Sequence, residues 1–445
     1  MENKKIKRVM LLLLPMLLAS CGGGSSSEGG LTIVKMSLMN SVNENAGWLA
    51  MIDAANEVLA DDNIKIEPDI IQTDEWDKYY TKVASNMAGG IGGTIGRIAE
   101  SHIPLMIKRN QLQDLSEVYN SLNMDDYVES AFGGVAYSNG KYYGMPTGIQ
   151  HMVLYYNKDY FDAYNTGKDE SLMINYPSSD WNNPATFEQI RDMAAKLSSG
   201  SRPNRDFGFS AGPYLAYAGM YAKSAGGDNV FNSSGNSAIK SEPFYKVYDW
   251  FDSMIQTDNS MPKPSDTSIE TAMDKFQAGN MAMIVDGAWW MGDMTNEKLV
   301  QFNVGVAATP TGIEGQSAYS SEFTDCFFAV RNSKTPVQDK KAIKALLSQE
   351  AVAALSATGV GGIPVRRDAL STYENALDEK FTASDVQCFV DGLDHGLHVP
   401  YTTYYNSVDQ IINQKMSVWL SGQMTAHNFV DFMDQTMQEA IDNDN

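Results

Sequence analysis

The chain has 445 residues, a formal net charge of −22 at pH 7 and 43% apolar residues. Its length exceeds that of one ordinary domain of about 150 residues, which predicts a large core or two lobes. The excess of acidic residues disfavours nucleic acid and anionic lipid as partners. The apolar content is too high for a disordered chain.

Residues 1–20 have the features of a secretory signal: a basic head, an apolar run over 9–18, and small residues before Cys21. The run is shorter than the roughly 20 residues that span a bilayer. Leu18-Ala19-Ser20-Cys21 resembles a bacterial lipobox, which implies that Cys21 carries a lipid and begins the mature protein. The Gly- and Ser-rich residues 21–30 would then form a flexible tether on the extracytoplasmic face of the membrane. The alternative is an ordinary signal with a chance cysteine.

The first elements after the tether alternate between strand and helix. Apolar patterning predicts strands over 31–38 and 64–71, and helices over 46–60 and 74–87. This order is typical of an α/β fold with parallel strands and helical cover.

Later segments carry clear helix signals. Thr186 and Gln189 have capping-box spacing at the start of an amphipathic stretch that ends at Gly200. A strand is predicted over 281–285, and an apolar stripe predicts a final helix near 429–441.

The cysteines and histidines do not predict a metal or cofactor site. Cys326 and Cys388 have no second Cys or His at metal-binding spacing, and the sequence leaves open whether they form a disulfide. His395 and His398 lack a good third ligand, so a solvated loop is the preferred interpretation.

Five segments, in order, resemble extracellular solute-binding protein family 1 of ABC importers, the group that contains maltose-binding protein. The family pattern "Gly-Lys-x-Tyr-Gly-x-Pro … Tyr-Asn-Lys-Asp" matches residues 140–146 and 156–159. The other matching segments are 184–188, 276–289, 305–310 with 329–334, and 362–366. The sequence departs from the family pattern at 92–97, where we expect a strand over 94–99.

The resemblance implies a two-lobe periplasmic-binding-protein-like fold of type II, with the ligand cleft between the lobes. We expect residues 31–147 with 303–350 in lobe 1, and 148–302 with 351–445 in lobe 2. Lobes of such proteins close about a hinge. The cleft needs no nucleophile, so an enzyme is not expected. The expected partners are a carbohydrate and the permease subunits of an ABC transporter, and the expected state is a monomer.

A saccharide site combines aromatic rings, which pack on C–H faces, with side chains that bond hydroxyls. Trp289, Tyr214 and Tyr405 line up with family stacking positions, and Gln150 lies where a polar ligand is expected. Trp290 is a further candidate, although one of two adjacent tryptophans is expected in the core. For each, a packing or surface role is the alternative.

Polar residues after the first and third predicted strands are the remaining candidates. Asn40 and Glu44 follow the first strand, while Glu100 and His102 follow the third. Arg366 is a candidate for clamping a hydroxyl or carboxylate, or for a surface ion pair.

Three alternatives stay open at this point. The same fold could bind a non-sugar solute such as a polyol phosphate, amino acid or peptide, although an anion needs more positive partners than the candidates supply. A surface glycosidase would need two carboxylates about 5–9 Å apart, for which Glu44 and Glu100 are candidates. An adhesin would lack a closing cleft.

Overall fold

The computed structural model describes residues 30–444 except 41–44, 74, 133 and 378–380. The predicted signal, Cys21 and Glu44 therefore lie outside the described residues. Within this part of the chain, every helix is too short or too polar to cross a membrane.

Thirteen strands are present in the described residues. They are β1 Thr32–Met39, β2 Ile64–Ile71, β3 Ile95–Ile98, β4 Tyr137–Ser138, β5 Lys141–Tyr142, β6 Met145–Pro146, β7 Gln150–Asn157, β8 Ser210–Ala211, β9 Met283–Gly287, β10 Val304–Ala307, β11 Ser320–Phe323, β12 Cys326–Ala329 and β13 Gly396–His398.

Sixteen α-helices cover these strands in the same described ranges. They are α1 Asn45–Val58, α2 Trp76–Gly89, α3 Ile103–Lys108, α4 Ser116–Asn120, α5 Lys158–Asn165, α6 Phe187–Leu197, α7 Leu215–Ser224, α8 Glu242–Asp252, α9 Ala272–Gln277, α10 Met291–Met294, α11 Pro336–Leu346, α12 Gln349–Ser356, α13 Leu370–Leu377, α14 Ala383–Asp391, α15 Tyr405–Leu420 and α16 Ala426–Asp444.

The first lobe is built on a sheet with strand order β2-β1-β3-β12-β6. β1 is parallel to both β2 and β3, as the strand–helix alternation predicts. β12 enters antiparallel between β3 and β6. Val34 and Met36 of β1 are fully buried because helices cover the sheet.

The second lobe is built on a sheet with strand order β13-β11-β7-β9-β8, and β10 also pairs with β7. All eight residues of β7 are buried. The predicted capping box is confirmed at α6: Thr186 Oγ1 accepts from the Gln189 N–H, and Gln189 Oε1 accepts from the Thr186 N–H.

Two chain segments lie side by side where the chain crosses from the first lobe to the second, next to the return crossing from β11 to β12. The first joins β6 to β7, and its Ile149 bridges to Ile363 of the second. A Cβ on Gly148 would overlap the carbonyl oxygen of Gly361, and Gly362 has a φ of +80° beside the backbone of Ile149. Glycine is required here because the two backbones touch directly.

The predicted boundary of lobe 1 at residue 303 is wrong. β10 and β11 pair antiparallel with β7 in the second sheet, so the chain returns to the first sheet only at β12. Residues after 350 also divide differently from the prediction: α12 packs on α1, whereas α14 contacts β10. The cause is long-range strand pairing, which local patterning does not specify.

Cys326 and Cys388 are both buried and are not joined by a disulfide. Cys326 begins β12 in the first lobe, while Cys388 lies on α14. Burial raises the pKa of both thiols.

Candidate functional site

A hollow of about 470 Å³ lies between the two lobes. Its walls come from five distant parts of the chain: the start of α2, the turn after β3, the start of α7, the segment before α15, and α15 itself. The lining residues are Glu75, Trp76, Asp77, Ser101, His102, Tyr214, Ala216, Tyr217, Tyr401, Tyr405, Asn406, Asp409 and Gln410. We call this space the central hollow.

The wall from the first lobe follows the carboxyl ends of its parallel strands, where α/β sheets usually bind ligands. Trp76 and Asp77 come after β2, and Ser101 and His102 come after β3. His102 is 2% exposed, and its Nε2 lies 3.1 Å from Asp77 Oδ1. Burial lowers the pKa of His102, although Asp77 opposes that shift.

The wall from the second lobe is aromatic. Tyr401 and Tyr405 pack edge to face with ring centroids 4.6 Å apart. Tyr405 and Asp409 lie one helical turn apart on α15 and share a face. The Oη of Tyr405 has no hydrogen-bond partner, although this residue is only 3% exposed. A buried unpaired hydroxyl is costly, so this atom is well suited to a ligand contact.

An aromatic row connects the central hollow to a second, smaller space. Tyr214, Tyr217, Phe323 and Trp289 follow one another with centroid separations of 5.7, 5.9 and 5.6 Å. Trp289 lines the smaller space, about 150 Å³, together with Gly292, Asp293, Asn296, Thr358, Gly359 and Val360. The row therefore runs from the central hollow to the smaller space, with successive rings packed edge to face.

Charged residues are buried beside Trp76. The guanidinium of Arg97 lies 4.4 Å from the ring centroid of Trp48 and 5.1 Å from that of Trp76. Its Nη2 is 2.7 Å from Asp325 Oδ2. Glu100 is buried with its Oε1 unpartnered. Burial, helped by the charge of Asp325, raises the pKa of Glu100 well above its usual value.

The two lobes touch each other at the edge of the cleft. Asn406 Nδ2, on α15, donates to the carbonyl oxygen of Ser101 at 3.4 Å. Lys108 Nζ, at the end of α3, lies 2.6 Å from Asp444 Oδ1 at the end of α16. These two contacts join the lobes beside the central hollow.

Three predicted site residues, Tyr214, Tyr405 and His102, line the central hollow, and Trp289 lines the smaller space beside it. Gln150 begins β7 beside the crossing segments and pairs with Phe323 of the aromatic row.

Asn40 and Glu100 lie near the cleft without lining either space. Asn40 Oδ1 accepts from Asn45 Nδ2 at 2.9 Å. Glu100 precedes Ser101 and His102 and interacts electrostatically with Tyr401 and Tyr405. Glu44 lies outside the described residues.

Two candidates lie elsewhere, and their prediction as cleft residues needs correction. Arg366 bonds both carboxylate oxygens of Asp368 and the Oη of Tyr127, in a groove on the first lobe. Trp290 packs against the core cluster that includes Met291, away from the aromatic row. Adjacent residues at a strand end diverge, so only Trp289 lines a cleft space.

The sequence prediction missed Trp76, Asp77, Tyr217, Tyr401 and Asp409. Trp76 and Asp77 had a usable signal, because they start the helix that follows the second parallel strand. Asp409 could have been found from its four-residue spacing to Tyr405. Only the folded chain brings these residues together.

No cluster of three or more His, Cys, Asp or Glu side chains in the described ranges is arranged to hold a metal ion. The available groups are aromatic faces, carboxylates, two amides, a serine hydroxyl, an imidazole and phenols. They can bind and orient a polar solute with apolar faces.

Sequence comparison identifies the family. A model described as "bacterial extracellular solute-binding protein" matches residues 50–383. The chain belongs to this family. A Brucella abortus relative named as a binding protein is 22% identical over 350 residues, which cover 78% of this chain and 79% of the relative.

Solved structures share the two-lobe fold. An ABC substrate-binding protein from Listeria monocytogenes, in complex with cycloalternan, has a TM-score of 0.78 at 17% identity, covering 92% of this chain and 98% of that one. The GacH receptor of Streptomyces glaucescens has a TM-score of 0.74 at 16% identity, covering 92% of this chain and 97% of that one. Maltose-bound MalE3 of Thermotoga maritima has a TM-score of 0.73 at 18% identity, covering 92% of this chain and 99% of that one.

Proposed function

We propose that this family member is the lipid-anchored, extracytoplasmic substrate-binding protein of an ABC importer. It captures a sugar or oligosaccharide by lobe closure and delivers it to the permease without altering it. The observation that carries this proposal is the aromatic row beside a hollow walled by both lobes, one of whose lining residues, Tyr405, has a buried, unpartnered hydroxyl.

The chemistry of the walls fits a saccharide. The rings of Trp289, Tyr217 and Tyr214 offer flat apolar faces for the C–H faces of sugar rings. Hydroxyls need donors and acceptors in fixed directions, which Tyr405, Asn406 and Asp409 can supply. The length of the row favours more than one sugar ring.

The names of similar structures support the same ligand class. The Listeria protein is described in complex with cycloalternan, the GacH receptor with acarbose, and MalE3 with maltose. We extend this to the present chain as part of the proposal, because at 16–18% identity these likenesses establish only the fold.

Lobe closure gives the binding cycle a physical basis. Residues of the central hollow come from both lobes, so only the closed form presents all of them to a solute. Ligand contacts with both walls would therefore stabilise the closed form. The side-by-side crossing segments at Gly148 and Gly361 are the proposed hinge.

The anchor is part of the same proposal. Lipidation of Cys21 would keep the protein beside its permease outside the cytoplasm. A Cys21→Ser variant is expected to leave the membrane fraction and become soluble, as measured by fractionation and immunoblotting. If the variant stays on the membrane, the lipobox interpretation is wrong.

The ligand class is tested by calorimetric titration of sugars and oligosaccharides against amino acids, peptides and polyol phosphates. We expect only saccharides to bind, and solution X-ray scattering to record a smaller radius of gyration when they do. Binding of a non-sugar solute alone would contradict the saccharide assignment. Release of a shortened product would contradict a purely binding role.

A further inference from the structure

The charge of the central hollow narrows the ligand class, on the basis of the proposed function. Three of its lining residues, Glu75, Asp77 and Asp409, are acidic. No lysine or arginine is present among the described lining residues, and the one ionisable base is His102, whose pKa burial lowers. The hollow therefore carries a net negative charge.

Two of these carboxylates have no strongly basic partner in the described part of the chain. Glu75 pairs with Lys78, but Asp77 contacts only the weakly basic His102. Asp409 accepts a hydrogen bond from Asn413 Nδ2 at 2.7 Å. Asp77 and Asp409 belong to different lobes and line the same space, so closure brings two negative charges together.

The electrostatics of Asp409 agree with this geometry. Burial raises the pKa of Asp409 to about 6, and the charge of Asp77 adds to the rise. Like charges disfavour ionisation, so this rise in the pKa of Asp409 is the direction expected for two carboxylates that face each other without a compensating positive charge.

A second, independent feature points to a ligand at the same place. The Oη of Tyr405 is buried without a partner, on the face of α15 that also bears Asp409. A phenolic oxygen can accept a hydrogen bond from an ammonium or donate one to a hydroxyl. Two carboxylates and one phenol are acceptors that suit a protonated amine.

The guanidinium beside Trp76 does not reverse this charge balance. Arg97 is 6% exposed and pairs with Asp325, and the carboxyl of Glu100 lies close to Asp325. Its positive charge is therefore offset within the protein.

We propose that the central hollow selects a saccharide bearing a protonated amine, with the ammonium held between Asp77 and Asp409. An uncharged hydroxyl at the same position would bind less tightly, because the two carboxylates would stay uncompensated. A carboxylate or phosphate would bind least, because it would add a third negative charge.

The test compares matched saccharides by calorimetry at pH 7 and low salt. Oligosaccharides of glucose, glucosamine and glucuronic acid, in α-1,4 and β-1,4 linkages, present a hydroxyl, an amine or a carboxylate on similar rings. Spermidine serves as an amine without a sugar. We expect the amine form to bind at least about ten-fold more tightly than the hydroxyl form, and the carboxylate form to bind most weakly.

Two variants locate the effect. Asp409→Asn and, separately, the exposed Asp77→Asn should reduce the amine preference to within about two-fold, as charge-assisted bonds are lost. Asp391→Asn, an exposed acid on α14 outside the hollow, should leave the preference unchanged. Circular dichroism and thermal melting confirm that each variant is folded.

The outcomes separate this inference from the proposed function. Equal or tighter binding of the hydroxyl or carboxylate form would overturn the amine preference and leave the saccharide assignment standing. An amine preference that survives in both variants would overturn its placement between Asp77 and Asp409. Binding of spermidine with no saccharide bound would overturn the saccharide assignment itself.

Discussion

The central hollow and the groove on the first lobe are both concave, but they differ in volume, in the pairing of their charged residues and in the lobes that form them. The groove is the larger, at about 1200 Å³ against 470 Å³. Several of its charged residues pair with one another, such as Lys340 with Glu117 and Lys141 with Asp114. The hollow instead draws on both lobes and retains an unpartnered phenol and uncompensated carboxylates.

This difference favours the central hollow over the groove as the proposed ligand site. A surface whose charges are already satisfied gains little from a polar solute, since bonds to the solute would replace existing bonds. When a solute binds in a cleft with an unsatisfied buried polar group, a new hydrogen bond forms and the free-energy cost of leaving that group unpaired is removed. Unmet hydrogen-bonding capacity, more than volume, therefore marks the site.

Trp289→Ala should have the largest effect among the tests that compare the interlobe cleft with the groove. We expect saccharide affinity to fall by about 2–3 kcal/mol, because a large aromatic anchor is lost. The melting temperature of the ligand-free protein should change little. Calorimetry and thermal melting measure both effects.

Trp290→Ala is the matched control for that variant. Trp290 packs against a core cluster, so its loss should lower the melting temperature with little direct effect on affinity. The reverse pattern, in which Trp289→Ala unfolds the protein and Trp290→Ala weakens binding, would place the ligand elsewhere.

Tyr405→Phe removes the unpartnered hydroxyl alone. Affinity should fall by about 1 kcal/mol, the usual value of one hydrogen bond, while unliganded stability is unchanged or increased. Tyr248→Phe is the control, because its Oη already donates to the Pro213 carbonyl at 3.0 Å and its loss should cost stability. Unchanged affinity in Tyr405→Phe would remove this phenol from the site.

The pH dependence of unliganded stability tests the charge of the hollow. The pKa of Asp409 is raised to about 6 in the folded protein, above its unfolded value, so protonation favours the folded state. Its contribution is fully present only below the unfolded pKa of about 4, and it is lost progressively as the pH rises from there through the folded pKa of about 6. The free energy of unfolding of the wild type, measured with denaturant, should rise by about 1 kcal/mol when the pH is lowered from 7 to 5. The free energy of unfolding of Asp409→Asn should not show this rise. Identical pH profiles would contradict the burial of Asp409.

Arg366→Ala should have the smallest effect on binding. Arg366 bonds Tyr127 and Asp368 in the groove, so stability should fall by about 1 kcal/mol. Saccharide affinity measured by titration should stay within about two-fold of the wild type. A large loss of affinity with normal folding would favour the groove as the binding site.

The sequence predicted the fold where local patterning specified it. The β1-α1-β2-α2 succession and the capping box at Thr186 depend on residues a few positions apart. The placement of β10 and β11 depended on pairing with β7, more than 140 residues earlier in the chain. That pairing leaves no local signal, so the lobe boundary at residue 303 was misplaced.

The site divides in the same way. Tyr214, Tyr405 and Trp289 could be selected from the family resemblance, because each lines up with a family stacking position, and Trp289 lies in one of the matching segments. Asp77 and Asp409 have ordinary surroundings in the sequence. Their shared position exists only after the two lobes are placed together, and so does the negative charge of the hollow.

A crystal structure of the protein with its tightest-binding saccharide would test the central claim most directly. We predict the sugar between the lobes, with rings against Trp289 and the Tyr214–Tyr217 surface and a polar group at Tyr405 Oη. A saccharide bound in the groove beside Arg366, with the central hollow free of sugar, would contradict it.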